Sequence, residues 1–211
     1  MVVNEVRRYV NRSEIDVVGN WLASLGDVKA RARIAARLDR LSLGSFCDCK
    51  ALREGVSELR IDWGPGYRVY YAMLGRTCVL LLCGGDKRGQ SSDIKRGNRL
   101  PERLQGKDAK QMKDKASISH DEAMSRELRE NPDFAAEYLR AAMEDEAEPR
   151  VLLVALRRVA EARGIARVAK TAGIERESLY RALSPRGNPR FSTLVAVAKA
   201  VGLKLTFESV R

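Results

Sequence analysis

Histidine is nearly missing from this chain: among 211 residues there is one, His120. The first hundred residues therefore lack both the usual proton-transfer side chain and the commonest neutral metal ligand. Cysteine is sparse too, at Cys47, Cys49, Cys78 and Cys83. A C-x-C pair without a second ligand pair does not make a zinc set, and four such cysteines do not make a disulfide framework. The expectation is packed, reduced thiols in a cytoplasmic protein with no metal and no cofactor. Over the first half, no serine–histidine–acid set and no Walker-type phosphate loop occurs. No run of 18 apolar residues occurs, so no membrane span is expected. The opening MVVNEVRRYV carries no apolar stretch followed by a cleavage site, so no secretory signal is expected.

What is present is positive charge, unevenly spread. The net charge is +11. Residues 1–111 hold 21 Lys+Arg against 13 Asp+Glu (net +8), residues 112–150 hold 6 against 11 (net −5), and residues 151–211 hold 12 against 4 (net +8). The excess suits a polyanionic partner. Two basic units flanking an acidic one suit an inhibitory segment laid over a basic site. The plain alternative is an acidic, solvated helix.

Apolar periodicity divides the chain. Val2–Val10 reads as a strand. Ser13, followed three residues later by Asp16, predicts a helix start, and Ile15, Val18, Trp21, Leu22 and Leu25 recur at helical spacing up to Gly26. Asp27 caps a second helix striped by Ile34, Leu38 and Leu41, with Arg31, Arg33, Arg37 and Arg40 mostly off the stripe. Alternation over Val56–Trp63, the Gly64-Pro65-Gly66 turn, alternation from Tyr67 and an apolar run over Thr77–Cys83 predict three further strands. The first part thus reads as α+β, a helical hairpin on a small antiparallel sheet. Residues 87–115 lose apolar character and read as a helix end and a linker. Ser119-His120-Asp121-Glu122 has capping-box form, and Asn131-Pro132-Asp133 is a second start signal, for a helix over Asp133–Glu146. Beyond Pro149 the pattern is all-α: a helix to Gly164, short helices Ile165–Thr171 and Glu175–Leu183 around Gly173, and Ser192–Val201. Leu203–Phe207 reads as a strand or an extended tail.

The candidate chemistry in the first part is cationic: Lys50, Arg53, Arg60, Arg68, Lys87 and Arg88. Arg60 and Arg68 flank the Gly64–Gly66 turn on the polar phase of their strands, so both are expected on one face. Such a cluster can hold a phosphodiester and stabilise charge developing on it. Tyr67, Tyr70 or Tyr71 could stack on a base or pass a proton. A solvated basic sheet face is the simpler reading.

The blocks VSELRIDWGPGYRVYY and VLLLCGGDK, with the upstream hairpin, closely resemble the addiction-module killer proteins of the RelE/ParE superfamily, HigB-like branch, over residues 3–98. The resemblance implies a RelE-like fold and growth inhibition, usually by ribosome-dependent, metal-independent mRNA cleavage. It also implies that Arg60, Arg68 and Lys87 handle phosphate, with Lys50 and Arg53 in support. Where such nucleases often carry a tyrosine after the last strand, this chain has Ile94, so a ParE-like action on gyrase and an inactive toxin both stay open.

Residues 117–207 resemble the HigA-like antidotes of the same modules, which carry a Cro/repressor-type helix-turn-helix. The implied nucleic-acid contacts are Arg176, Glu177, Tyr180 and Arg181 on the second short helix, with Lys170 and Arg186, and Arg190, at phosphates. The domain reading is a RelE/ParE-like toxin domain over 1–98, a linker over 99–118, an acidic helical bridge over 119–148 and a helix-turn-helix antitoxin domain over 149–211. Expected partners are the toxin–antitoxin contact within or between chains, operator DNA, ribosome and mRNA, and a second copy as a homodimer. The bridge is expected to lean on the toxin part and mask its basic face. The rival is a DNA-binding regulator whose toxin-like part is only an interaction module.

Overall fold

The computed structural model describes residues 4–46, 48–52, 55–87 and 117–206. Arg53, Arg88, Ile94 and the linker up to residue 116 fall outside the described residues. Strand β1 (Glu5–Tyr9) leads into helices α1 (Val17–Ser24) and α2 (Val28–Ser42), followed by β2 (Cys49–Ala51), β3 (Val56–Ile61), β4 (Tyr67–Leu74) and β5 (Cys78–Asp86). The second part has β6 (Ser117–Ser119), α3 (His120–Glu130), α4 (Pro132–Met143), α5 (Arg150–Ala162), α6 (Ile165–Ala172), α7 (Arg176–Ala182) and α8 (Phe191–Ala200).

The sheet runs β2-β3-β4-β5-β1-β6. It is mixed, which corrects the antiparallel expectation: β1 lies parallel to β5, with Glu5 opposite Cys78. Apolar alternation reports which face a residue takes, not which way its strand runs. A parallel pair needs a long connection, and here the chain passes through the hairpin and three strands before β5. Strand β6 adds antiparallel to β1, with Arg8 opposite Ile118. Ser117 and Ile118, assigned above to the linker, thus extend the first part's sheet.

Local signals explain the starts of the first four helices. The cap of α1 is Asp16, which accepts from the Gly19 amide at 2.8 Å; Ser13 lies outside the helix. Asp27 caps α2, Ser119 caps α3, and Asn131 caps α4 with proline following it. Residues 203–206 form no strand.

Two clusters line the sheet's faces. On one, Ile34, Leu38 and Leu41 of α2 pack with Leu59, Ile61, Val69, Val79 and Leu81. On the other lie Val56, Tyr70, Ala72, Leu80 and Leu82. Gly84 on β5 is required by close packing: a Cβ there would meet the Trp21 ring at 2.1 Å. A third cluster crosses between the two parts. Ala32, Ala35, Ala36 and Leu43 of the hairpin share it with Met124, Phe134, Tyr138, Val151, Val159, Leu179 and Leu183. Helix α2 is therefore buried on both sides, by the sheet and by α4.

Candidate functional site

On the sheet, Arg60 of β3 stands opposite Arg68 of β4 in register, so both leave the same face. Lys50 of β2 stands opposite Glu58, two residues from Arg60 and on that same face. Lys87 follows β5 and is exposed, and its amide donates to the Gly66 carbonyl at 2.9 Å. Of the six candidate cations, Lys50, Arg60 and Arg68 thus share one face and Lys87 lies just past β5 beside the Gly64–Gly66 turn, while Arg53 and Arg88 fall outside the described residues. The residue that sequence reading missed is Glu58, whose side chain is fully buried. Its Oε1 accepts from Arg60 Nε at 2.6 Å and lies 3.2 Å from Arg68 Nε. Alternation had already put Glu58 in phase with Arg60, so that signal was available.

The tyrosines do not fit the roles suggested for them. Tyr67, Tyr70 and Tyr71 are all buried. Burial raises the Tyr67 hydroxyl pKa, with Asp27 and Asp86 adding to it, and raises that of Tyr71 strongly. None offers a ring face to an incoming base.

The acidic bridge does contact the first part, but elsewhere than expected. Helix α4 covers α2, on the sheet face opposite Arg60 and Arg68. The cations it meets are those of α2. Arg31 pairs with Glu127 at 2.6 Å, Arg33 pairs with Glu144, and buried Arg40 grips buried Asp145 through both Nε and Nη2. Arg37 and Arg40 also reach Asp48 of their own part. The described acidic side chains of the bridge therefore pair along the outer face of α2, on the side of the sheet away from Arg60 and Arg68.

Deeper in the seam, Asp39 of α2 is fully buried, accepts from the Tyr138 hydroxyl of α4 and sits 2.8 Å from Arg158 of α5. Arg158 also pairs with Asp121. Burial pushes the Asp39 carboxyl up to about 6, against the pull of Arg158. Burial works against the Arg158 charge, yet Asp39, Tyr138 and Asp121 hold its pKa above the usual value. His120, fully buried, accepts from Arg8 Nε at 3.0 Å; burial and the nearby Arg8 and Arg158 hold it well below the usual imidazole range. The single histidine thus locks the seam and is placed for no proton transfer to a substrate.

In the second part, α6 and α7 meet at Gly173, whose φ of 67° favours a residue without Cβ. Ala169, Leu179 and Leu183 are buried. Lys170, Arg176, Glu177, Arg181, Arg186 and Arg190 are exposed. Tyr180 is half-buried, with Arg157 of α5 5.0 Å and Arg176 5.8 Å from its ring centroid. Among the described residues, no group of three or more His, Cys, Asp or Glu side chains is placed to hold a metal, and no helix is long and apolar enough to cross a membrane.

Residues 119–209 match a family described as "Probable addiction module antidote protein". A Haemophilus influenzae (Rd) protein is 47% identical over 85 residues, which is 40% of this chain and 86% of that protein. A second protein of that strain is 44% identical over 61 residues, 29% of this chain and 63% of its own length. Each carries only the description "Uncharacterized protein". No solved structure matches.

Proposed function

Because the chain belongs, through residues 119–209, to the family of probable addiction module antidote proteins, we propose that the part before it is the matching toxin, carried in the same chain and held silent by the antidote. The observation that carries this reading is the seam: four acidic side chains of the second part, Glu127, Glu144, Asp145 and Asp121, engage arginines, three of them on α2 of the first part. With β6 completing the sheet beside β1, the second part occupies the hairpin side and one sheet edge. The RelE/ParE-like reading rests on the order of elements and the motif blocks.

In this reading the toxin part is a ribosome-dependent, metal-independent mRNA interferase. Arg60, Arg68, Lys50 and Lys87 hold the scissile phosphate, and charge that grows on its oxygens is met by guanidinium forks. Silencing then works by bulk: a docked domain behind α2 obstructs entry into a confined site without touching the cations. Tethering keeps the antidote at high effective concentration. The exposed cations around α6 and α7 give the second part a repressor-type contact with operator DNA, bound as a homodimer over two half-sites.

Expression of residues 1–111 alone tests the toxin reading. Growth arrest with mRNA cleavage by primer extension, lost in Arg60→Ala and Arg68→Ala, is expected. DNA damage with intact message would favour the gyrase reading. Harmless, folded protein would favour an inert interaction module, the reading supported by the three buried tyrosines and by the occupation of both arginines by Glu58.

A further inference from the structure

Arg157 lies on α5, outside the two short helices, and no role above uses it. Its side chain is 39% exposed and is fixed by Glu161 one turn on, at 2.9 Å. From there its guanidinium carbon sits 5.0 Å from the Tyr180 ring centroid. The same ring carries Arg176 at 5.8 Å. Both distances fall within the range of cation–π attraction. Arg176 opens α7 and Tyr180 follows four residues later, so the two share one helix face a turn apart. The chain of contact is Glu161, Arg157, Tyr180, Arg176, and it ends at an exposed side chain that opens α7.

We propose that Arg157 is a positioning residue for sequence recognition: it braces the Tyr180 ring, and that ring holds the Arg176 fork ready for the acceptor edge of a guanine. This rests on the reading of α6–α7 as a DNA-reading unit and adds to it how discrimination is set. An arginine reads guanine through two parallel hydrogen bonds, and a long flexible side chain loses much freedom in making them. A guanidinium held against a ring has lost part of that freedom beforehand. Tyr180 accordingly acts through its ring and not as a reader of bases.

The test uses the full chain. A random-sequence duplex DNA library is selected on the wild-type protein. The enriched duplex and a scrambled duplex are then titrated by mobility shift across a salt series. Arg157→Ala and Arg157→Gln are each expected to lose about fivefold in affinity for the enriched duplex, the size of one cation–π contact. Binding to the scrambled duplex and the salt slope should hold. Tyr180→Phe should behave as wild type, and Tyr180→Leu like Arg157→Ala. Equal loss on both duplexes, with a salt slope lowered by about one, would make Arg157 a phosphate contact and overturn the proposal. Unchanged discrimination in both Arg157 variants would overturn it as well, with DNA binding intact. Failure of the wild-type protein to enrich any sequence would instead sink the DNA-reading proposal beneath it. Thermal unfolding of each variant separates these results from loss of fold.

Discussion

Arg60 and Arg68 face each other across the β3–β4 ladder and share one buried carboxylate, Glu58. The pair is therefore held by an anion of the protein itself. Arg68 is mostly buried, so removing Glu58 strands a poorly solvated charge. Glu58→Gln is expected to lower stability by about 1–3 kcal/mol, read as a drop in urea midpoint. Arg60 is half exposed, and Arg60→Ala should cost under about 1 kcal/mol. Heparin retention should move the other way, rising in Glu58→Gln as one negative charge leaves the patch. A Glu58→Gln protein with unaltered midpoint and retention would show that the carboxylate does not organise the site.

The seam contains ion pairs of two kinds, and they should respond differently. Arg40 and Asp145 are both buried and doubly bonded, whereas Arg33 and Glu144 are partly exposed. Breaking a buried pair leaves a charge without its partner, so Asp145→Ala should cost about 3–5 kcal/mol, with the Asp48 contact of Arg40 holding it to the lower end. Glu144→Ala should cost under about 1 kcal/mol and vary with salt. Guanidinium unfolding of both variants decides the matter; similar losses would mean that burial does not set the strength of this seam.

Much of this architecture could be read from residue order alone. Asp27, Ser119 and Asn131 cap the helices they were expected to cap, since side-chain oxygens beside an amphipathic run act locally. The shared face of Arg60 and Arg68 followed from alternation and one turn. Strand direction did not follow, nor did the joining of β6 to β1, because pairing partners far apart leave no local trace. Charge counts suited an acidic bridge laid on a basic surface and a solvated acidic helix alike, and the expected contact was with the sheet's basic face. The contact instead falls on the arginines off the α2 stripe, Arg31, Arg33 and Arg40. Tyr67, Tyr70 and Tyr71 were misjudged because a sheet covered on both faces buries polar and apolar phases alike.

Two titrations in the seam should pull stability in opposite directions. The folded Asp39 carboxyl lies near 6 against an ordinary value of 3.8. Its contribution is fully present below the unfolded value and is lost as pH rises from about 4 to 6, on the order of 3 kcal/mol for a shift of about two units. His120 has the reverse sign. Its lowered folded pKa means that stability is present above the ordinary value of 6.5 and is lost as pH falls below it. Urea midpoints between pH 4 and 7 should therefore show a steeper acid loss in Asp39→Asn than in wild type. In His120→Gln that loss should be reduced. Parallel curves for all three proteins would contradict the assignment.

On the second part, contacts to phosphate and to bases should separate by their salt response. Lys170, in the last turn of α6, and Arg186, past the end of α7, are exposed. If they meet phosphates, Lys170→Ala and Arg186→Ala should each weaken binding of any duplex and reduce the slope of log affinity against log salt by about one. Arg176→Ala should instead cost about 1–3 kcal/mol on the preferred sequence and relax preference at one base pair, with far less effect on a scrambled duplex. Mobility shifts at several salt concentrations on both duplexes measure all three. Equal losses on both duplexes for Arg176→Ala would assign it to the backbone and remove the first residue of α7 as a reader of sequence.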